Sequence, residues 1–82
     1  MIDKIIAECD NLKQTMIDRH KKYGNNFAEP CDILIDLTAA ETNRALLNVK
    51  LNRLKCGDKL DKDTLLDIAG YAILILVLET IT

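Results

Sequence analysis

The residues of this chain best suited to chemistry are charged side chains that lie one helical turn apart in its last third. Lys50 and Arg53 precede a break at Gly57, and Asp63 and Asp67 follow it. Residues three or four positions apart occupy neighbouring parts of a helix surface. If the segments on both sides of the break are helices that fold back on each other, two cations face two carboxylates. The pattern predicts a small polar site that can hold an anion, or else a solvated face of ion pairs.

Asp67 is the most informative of these residues because apolar side chains surround it in the sequence. Removing an unpaired carboxylate from water costs several kcal/mol, so we expect Asp67 to have a cationic partner. The candidates are Lys50, Arg53 and Arg19. Tyr71, one turn further on, shares the face of Asp67. A structural ion pair and a ligand site both fit this arrangement.

A third polar cluster stands at the end of the first predicted helix. Arg19 and Tyr23 are one turn apart there, and Gly24 and Asn26 follow. A guanidinium, an aromatic ring and an amide together suit a nucleobase or a phosphate. A plain helix C-terminal cap explains the same residues. His20 is interpreted as a packed or half-exposed histidine rather than a catalytic one.

Signals for catalysis and for metal binding are weak in this sequence. The chain has no serine, which excludes a serine triad, and no glycine-rich phosphate loop. Its single histidine and its three cysteines, Cys9, Cys31 and Cys56, match no zinc motif. We therefore predict a protein that is not an enzyme, with no catalytic residue, metal or cofactor. The cysteines are expected to be reduced and mostly in the core of a cytosolic protein.

Length and charge narrow the class of protein further. The 82 residues fit a single domain, 1–82, and the net charge of −2 differs from the strongly basic stripe of a general nucleic-acid binder. The longest uncharged run has 11 residues, whereas a membrane span needs about 20. A chain of this size buries only about 60–65% of its unfolded surface. We therefore expect association to stabilise it.

Periodicity and capping signals predict an all-α fold, a small bundle of three to four helices. The predicted segments run approximately over 2–22, 29–37, 38–56 and 62–80. Thr38 and Glu41 form a capping-box pattern, and Asp61 is a candidate N-cap for the last helix. A continuous helix over residues 30–56 is the alternative to the two middle segments.

The last predicted helix is apolar on all sides from Leu65 to Leu78, apart from Asp67 and the Tyr71 hydroxyl. A helix with this composition has to be buried all round. Three companion helices from 82 residues cannot easily enclose it. The small residues 69, 70 and 72 would let another helix approach closely. These features predict a homo-oligomer assembled through the C-terminal helix.

Three motifs follow one another along the chain: R-x-x-x-Y-G from Arg19, K-L-x-R-L from Lys50 and D-x-x-x-D-I-A-G-Y-A from Asp63. Over about residues 15–78, the set resembles a family of small helical phage and prophage proteins of uncharacterised function. That family is similar in turn to the MazG-like all-α nucleotide pyrophosphohydrolases, which hold magnesium with E-x-x-E and E-x-x-D pairs. Lys50 and Arg53 stand in place of the first pair, and only Asp67 remains of the second. The resemblance therefore implies the scaffold without the hydrolase chemistry.

Three functions follow from these patterns. The first is a non-enzymatic, phage-type binding protein in the cytoplasm of an infected or lysogenic bacterium. By resemblance to phage sponges, it would sequester a nucleotide-like anion such as a cyclic or ADP-ribose-derived defence signal. The second is a pyrophosphohydrolase using Asp63, Asp67 and a further acid such as Glu41 or Asp58. The third is a protein–protein interaction module with a structural polar cluster. The predicted ligand-binding residues are Arg19, Tyr23, Asn26, Lys50, Arg53, Asp67 and Tyr71.

Overall fold

The computed structural model describes residues 1–23 and 37–80 of the chain. These residues form three helices, α1 (Ile2–Tyr23), α2 (Ala39–Lys55) and α3 (Lys62–Thr80), and no strand occurs among them. The predicted all-α class is confirmed. The short second helix predicted over residues 29–37 falls almost entirely outside the described residues, as does Cys31.

The start of α2 is fixed by the predicted capping box. The Thr38 hydroxyl accepts a hydrogen bond from the Glu41 amide at 3.1 Å, and the Glu41 carboxylate accepts one from the Thr38 amide at 3.1 Å. Thr38 itself has extended backbone, with φ −69° and ψ 166°. A helix therefore begins at Ala39, and the alternative of one continuous helix over 30–56 is wrong.

A Schellman turn ends α2 and reverses the chain. The Asp58 amide donates to the Arg53 carbonyl at 3.0 Å, and the Gly57 amide donates to the Leu54 carbonyl at 3.2 Å. Gly57 has a φ of 110°, a conformation that side chains disfavour. Asp61 then caps α3, since its carboxylate accepts from the Thr64 amide at 2.8 Å. The glycine stop and the Asp61 cap are both confirmed.

α2 and α3 form an antiparallel hairpin that contains the buried residues of the described structure. Leu78 and Asn43 are buried at one end of the hairpin. The Asn43 side-chain amide donates to the Ala39 carbonyl at 2.9 Å, which offsets the cost of burying it. An ion pair between Arg44 and Glu79 joins the two helices beside this core.

α1 lies across the first half of α3 and contacts it less extensively than α2 does. Leu12, Thr15 and Met16 are the half-buried residues on its inner side, whereas every residue from 1 to 11 is exposed. Cys9 and Cys56 are free and exposed, so the prediction that the cysteines belong to the core is wrong for both. None of the described helices is long and apolar enough to cross a membrane.

The part of the chain that the structure describes does not bury α3 all round. The helix turns Leu65, Ile73, Leu76 and Val77 to solvent. Its inner side, which includes Gly70 and Leu78, faces the chain's own helices. This exposed side agrees with the prediction that the chain's own helices cannot easily enclose α3. The homo-oligomer expected from it stays a prediction.

Candidate functional site

The candidate site is a cluster of three charged side chains, one from each described helix. Arg19 of α1 donates from Nη1 to Oδ1 of Asp67 on α3 at 3.0 Å. Lys50 of α2 places its Nζ 3.0 Å from Oδ2 of the same carboxylate. Asp67 thus binds two of its predicted partners, one on each oxygen. It is the point where all three helices are joined by charge.

Partial burial and the two cations act in opposite directions on Asp67. The side chains of Asp67 and Lys50 are each 25% exposed, and that of Arg19 is 52% exposed. Burial raises the pKa of Asp67, but the hydrogen bonds and charges of Lys50 and Arg19 outweigh it, so the pKa lies below its ordinary value. Asp67 is therefore ionised at neutral pH. It acts as a hydrogen-bond acceptor, not as a proton donor.

The three side chains of the cluster carry one more positive charge than negative charge, and the charge of Lys50 also lowers the pKa of Asp61. An arginine has five N–H donors and a lysine has three. The contacts to Asp67 use one nitrogen of the Arg19 guanidinium and the Lys50 ammonium. The other N–H donors of these two groups are not used by Asp67.

Arg53 and Asp63 do not join this cluster, contrary to the expectation of two cations facing two carboxylates. Both are exposed, and neither forms an ion pair within residues 1–23 and 37–80. Positions three apart on a helix differ by about 60° in direction, so Lys50 can face α3 while Arg53 points outward. Arg53 lies instead on an exposed face of α2 that it shares with Leu46 and Val49.

The predicted aromatic residues are only partly placed. Tyr71 is half-buried on α3, one turn beyond Asp67, and its hydroxyl has no hydrogen bond to the described residues. Tyr23 is the last residue of α1. Its side chain and the whole of Asn26 lie outside what the structure describes. The ligand-binding roles of all seven predicted residues stay predictions.

No metal site is formed by the residues that the structure describes. They contain no group of three histidine, cysteine, aspartate or glutamate side chains that could hold an ion. Of the acids suggested for a hydrolase, Asp67 is engaged by two cations, and Glu41 is engaged by the cap of α2. The capping contacts with Thr38 lower the pKa of Glu41.

An open groove of about 350 Å³ lies between α1 and α3 and was not predicted from the sequence. Its walls are mainly apolar and include Cys9 and Leu12 from α1 and Leu65, Leu66 and Ala69 from α3. The apolar stripe of α1 could have indicated a packing surface. It could not indicate where along α3 this surface would pack.

Comparison of the chain with protein-family models, with curated proteins and with solved structures finds no match in any of the three.

Proposed function

We propose that this protein is a phage-type, non-enzymatic binding protein that sequesters a nucleotide-like anion in the cytoplasm of its bacterial host. One observation carries the proposal. Arg19 and Lys50, from different helices, meet at a half-exposed place where both contact a single carboxylate, Asp67. Such a cluster is already organised, and the N–H donors that Asp67 leaves unused can bind a second anion.

The ligand that suits this cluster has at least one phosphate. Phosphate oxygens accept charge-assisted hydrogen bonds from guanidinium and ammonium groups. Arg53, which is exposed on α2 about one helical turn after Lys50, is available to a second phosphate. Tyr71, half-buried one turn beyond Asp67, could supply a ring on which a base stacks, and Tyr23 is the second residue predicted from the sequence for this role. A cyclic or ADP-ribose-derived defence signal combines these features.

Sequestration without turnover follows from the charge of the same residues. A magnesium ion requires several oxygen ligands, and it would be repelled by Lys50 and Arg19. A pyrophosphohydrolase remains the enzymatic alternative, with Asp63, Asp67 and a further acid as its metal ligands. That alternative requires Asp67 to exchange both of its cations for a metal.

The binding protein is proposed to be a homo-oligomer. The chain has an accessible surface of 6458 Å². A compact protein of 9.2 kDa has about 4,900 Å². Exposed apolar residues of α3 account for part of this excess. Packing α3 against a second copy would remove its apolar side from water.

Calorimetric titration of the assembled protein with nucleotide second messengers tests the binding proposal. Lys50→Met should lose a charge-assisted contact worth about 1.5–3 kcal/mol, which weakens affinity at least tenfold. Lys59→Met, which removes an exposed lysine from the loop before α3, is the matched control and should bind like the wild type. Magnesium should not be needed for binding. Binding that requires magnesium, or release of pyrophosphate, would favour the hydrolase instead.

A protein–protein interaction module is the second candidate, and the exposed apolar faces of α1, α2 and α3 favour it. In that case Asp67 and its two cations only hold the helices together. Equal titration curves for wild type and Lys50→Met, with no nucleotide bound by either, would support this candidate.

A further inference from the structure

The apolar stripe of α1 is packed against another helix along only half of its length. In the second half of the helix, Leu12 and Met16 turn toward α3 and are half-buried. The same stripe continues through Ile2, Ile5 and Ile6, which are exposed although they belong to the same side of the helix. This first half of α1 has no cover from the described part of its own chain.

The face of α3 on which α1 packs is likewise covered along only half of its length. Leu65, Leu66 and Ala69 line the groove beside Leu12. Leu76 is eleven residues after Leu65, which returns it to within about 20° of the same direction on the helix. Together with Ile73 and Val77 it continues this outer face of α3 toward the C-terminal end, where all three are exposed.

The amount of exposed surface fits a second copy of the chain as the missing cover. The accessible surface of the chain exceeds that of a compact protein of the same mass by about 1,500 Å². Each partner loses about 800 Å² in a standard protein–protein interface. The excess is therefore larger than the surface that one copy gives to one such interface.

We propose that the first half of α1 in one copy packs on the outer C-terminal half of α3 in another copy. Between chains, this contact repeats the packing of α1 on α3 that already exists within each chain. The inference rests on the proposed homo-oligomer and is independent of the ligand. In this contact α3 of one chain pairs with α1 of another chain, not with a second α3. Each chain therefore offers two different surfaces to its neighbours.

Two variants with matched controls test the contact by sedimentation-velocity ultracentrifugation. Ile5→Glu places a charge on the uncovered half of α1, and Leu76→Lys places one on α3. Ile17→Glu alters an exposed isoleucine of the covered half of α1, and Leu60→Lys alters a leucine that is 60% exposed, as Leu76 is. We expect wild type and both controls to be oligomeric. Each of the two test variants should sediment as a species of about 9.2 kDa.

Mixing the two test variants distinguishes the proposed contact from its alternatives. The Leu76→Lys chain still has an intact α1, and the Ile5→Glu chain still has an intact α3, so an equimolar mixture should form dimers. If Leu76→Lys alone dissociates the protein and Ile5→Glu does not, α3 pairs with α3, and the inference is wrong while the homo-oligomer stands. A monomeric wild type would overturn both the proposed contact and the homo-oligomer. The exposed apolar surface would then have to be covered by residues 24–36 or by another protein. Circular dichroism of each variant shows whether a lower sedimenting mass is caused by unfolding. If both variants are unfolded and their mixture recovers neither helix content nor the mass of a dimer, the proposed contact is also wrong.

Discussion

Asp67 is the residue at which the structural and the functional interpretations of this chain meet. Its pairing could be predicted because a carboxylate within an apolar run needs a cation, and Lys50 and Arg19 were among the three candidates. The outward direction of Arg53 could not be predicted. Which of two cations on one helix faces inward depends on how α2 and α3 pack, and the spacing of the residues does not contain that information.

The first prediction concerns the stability that Asp67 provides. Asp67→Asn removes the charge that balances Lys50 and should lower the free energy of unfolding by about 1–3 kcal/mol. Adding Lys50→Met should recover part of this loss, with a coupling energy of about 0.5–3 kcal/mol. Urea denaturation measures both values.

Asp63→Asn is the matched control, because it makes the same substitution one turn earlier at an exposed position. It should change stability by no more than about 0.5 kcal/mol. If Asp63→Asn and Asp67→Asn have the same effect, the ion pairs of Asp67 do not stabilise the fold.

The second prediction concerns pH. The folded-state pKa of Asp67 lies below its unfolded value, so its contribution is fully present above the unfolded pKa and is lost as pH falls through the folded pKa. The difference in unfolding free energy between wild type and Asp67→Asn should be constant at neutral pH and shrink below about pH 4. The capping contacts of Glu41 and Asp61 also lower the pKa of those groups, but they are present in both proteins and cancel. A difference that stays constant down to the acid transition would show that Asp67 has no depressed pKa.

At the scale of the helices, the predictions that succeeded rest on local chemistry. The capping box at Thr38, the glycine stop at residue 57 and the Asp61 cap each involve neighbouring residues, so the sequence contains all of the relevant contacts. Burial of the cysteines was predicted from the general behaviour of the residue type. It fails because Cys9 lies in the open groove between α1 and α3, and Cys56 lies at the exposed C-terminal cap of α2.

The third prediction compares two glycines by the same substitution. At Gly57 an added Cβ would meet no atom within 4 Å, so Gly57→Ala is opposed only by its φ of 110° and should cost about 1 kcal/mol or more. At Gly70, within α3, an added Cβ also meets no atom within 4 Å, and Gly70→Ala should stabilise the helix by up to about 1 kcal/mol. Urea denaturation of both variants measures the opposite signs.

A destabilising Gly70→Ala would have a different meaning. It would show that the buried surroundings of Gly70 have no room for a methyl group, so that packing against this face outweighs the gain in helix propensity. A neutral Gly57→Ala would show that the Schellman turn does not fix the end of α2.

At the scale of the whole molecule, the sequence indicated that α3 needs more cover than one small chain supplies. The structure agrees, since Leu65, Ile73, Leu76 and Val77 are exposed in a single copy. Hydrophobic composition shows that a surface needs a partner, but not which surface the partner offers. The incomplete covering of α1 could not be predicted either, because its stripe is equally apolar in both halves of the helix.

The measurement that tests the central claim most directly is a retention assay on the assembled wild-type protein. The protein is incubated at low salt with cyclic and ADP-ribose-derived nucleotides, separated from free ligand by gel filtration and denatured by heat, and the released material is identified by chromatography. We predict that one of these nucleotides is retained and released unchanged, that Lys50→Met retains much less of it, and that Lys59→Met retains as much as the wild type. If no nucleotide is retained, or the retained one is released as a cleaved product, the proposal of sequestration without turnover is wrong.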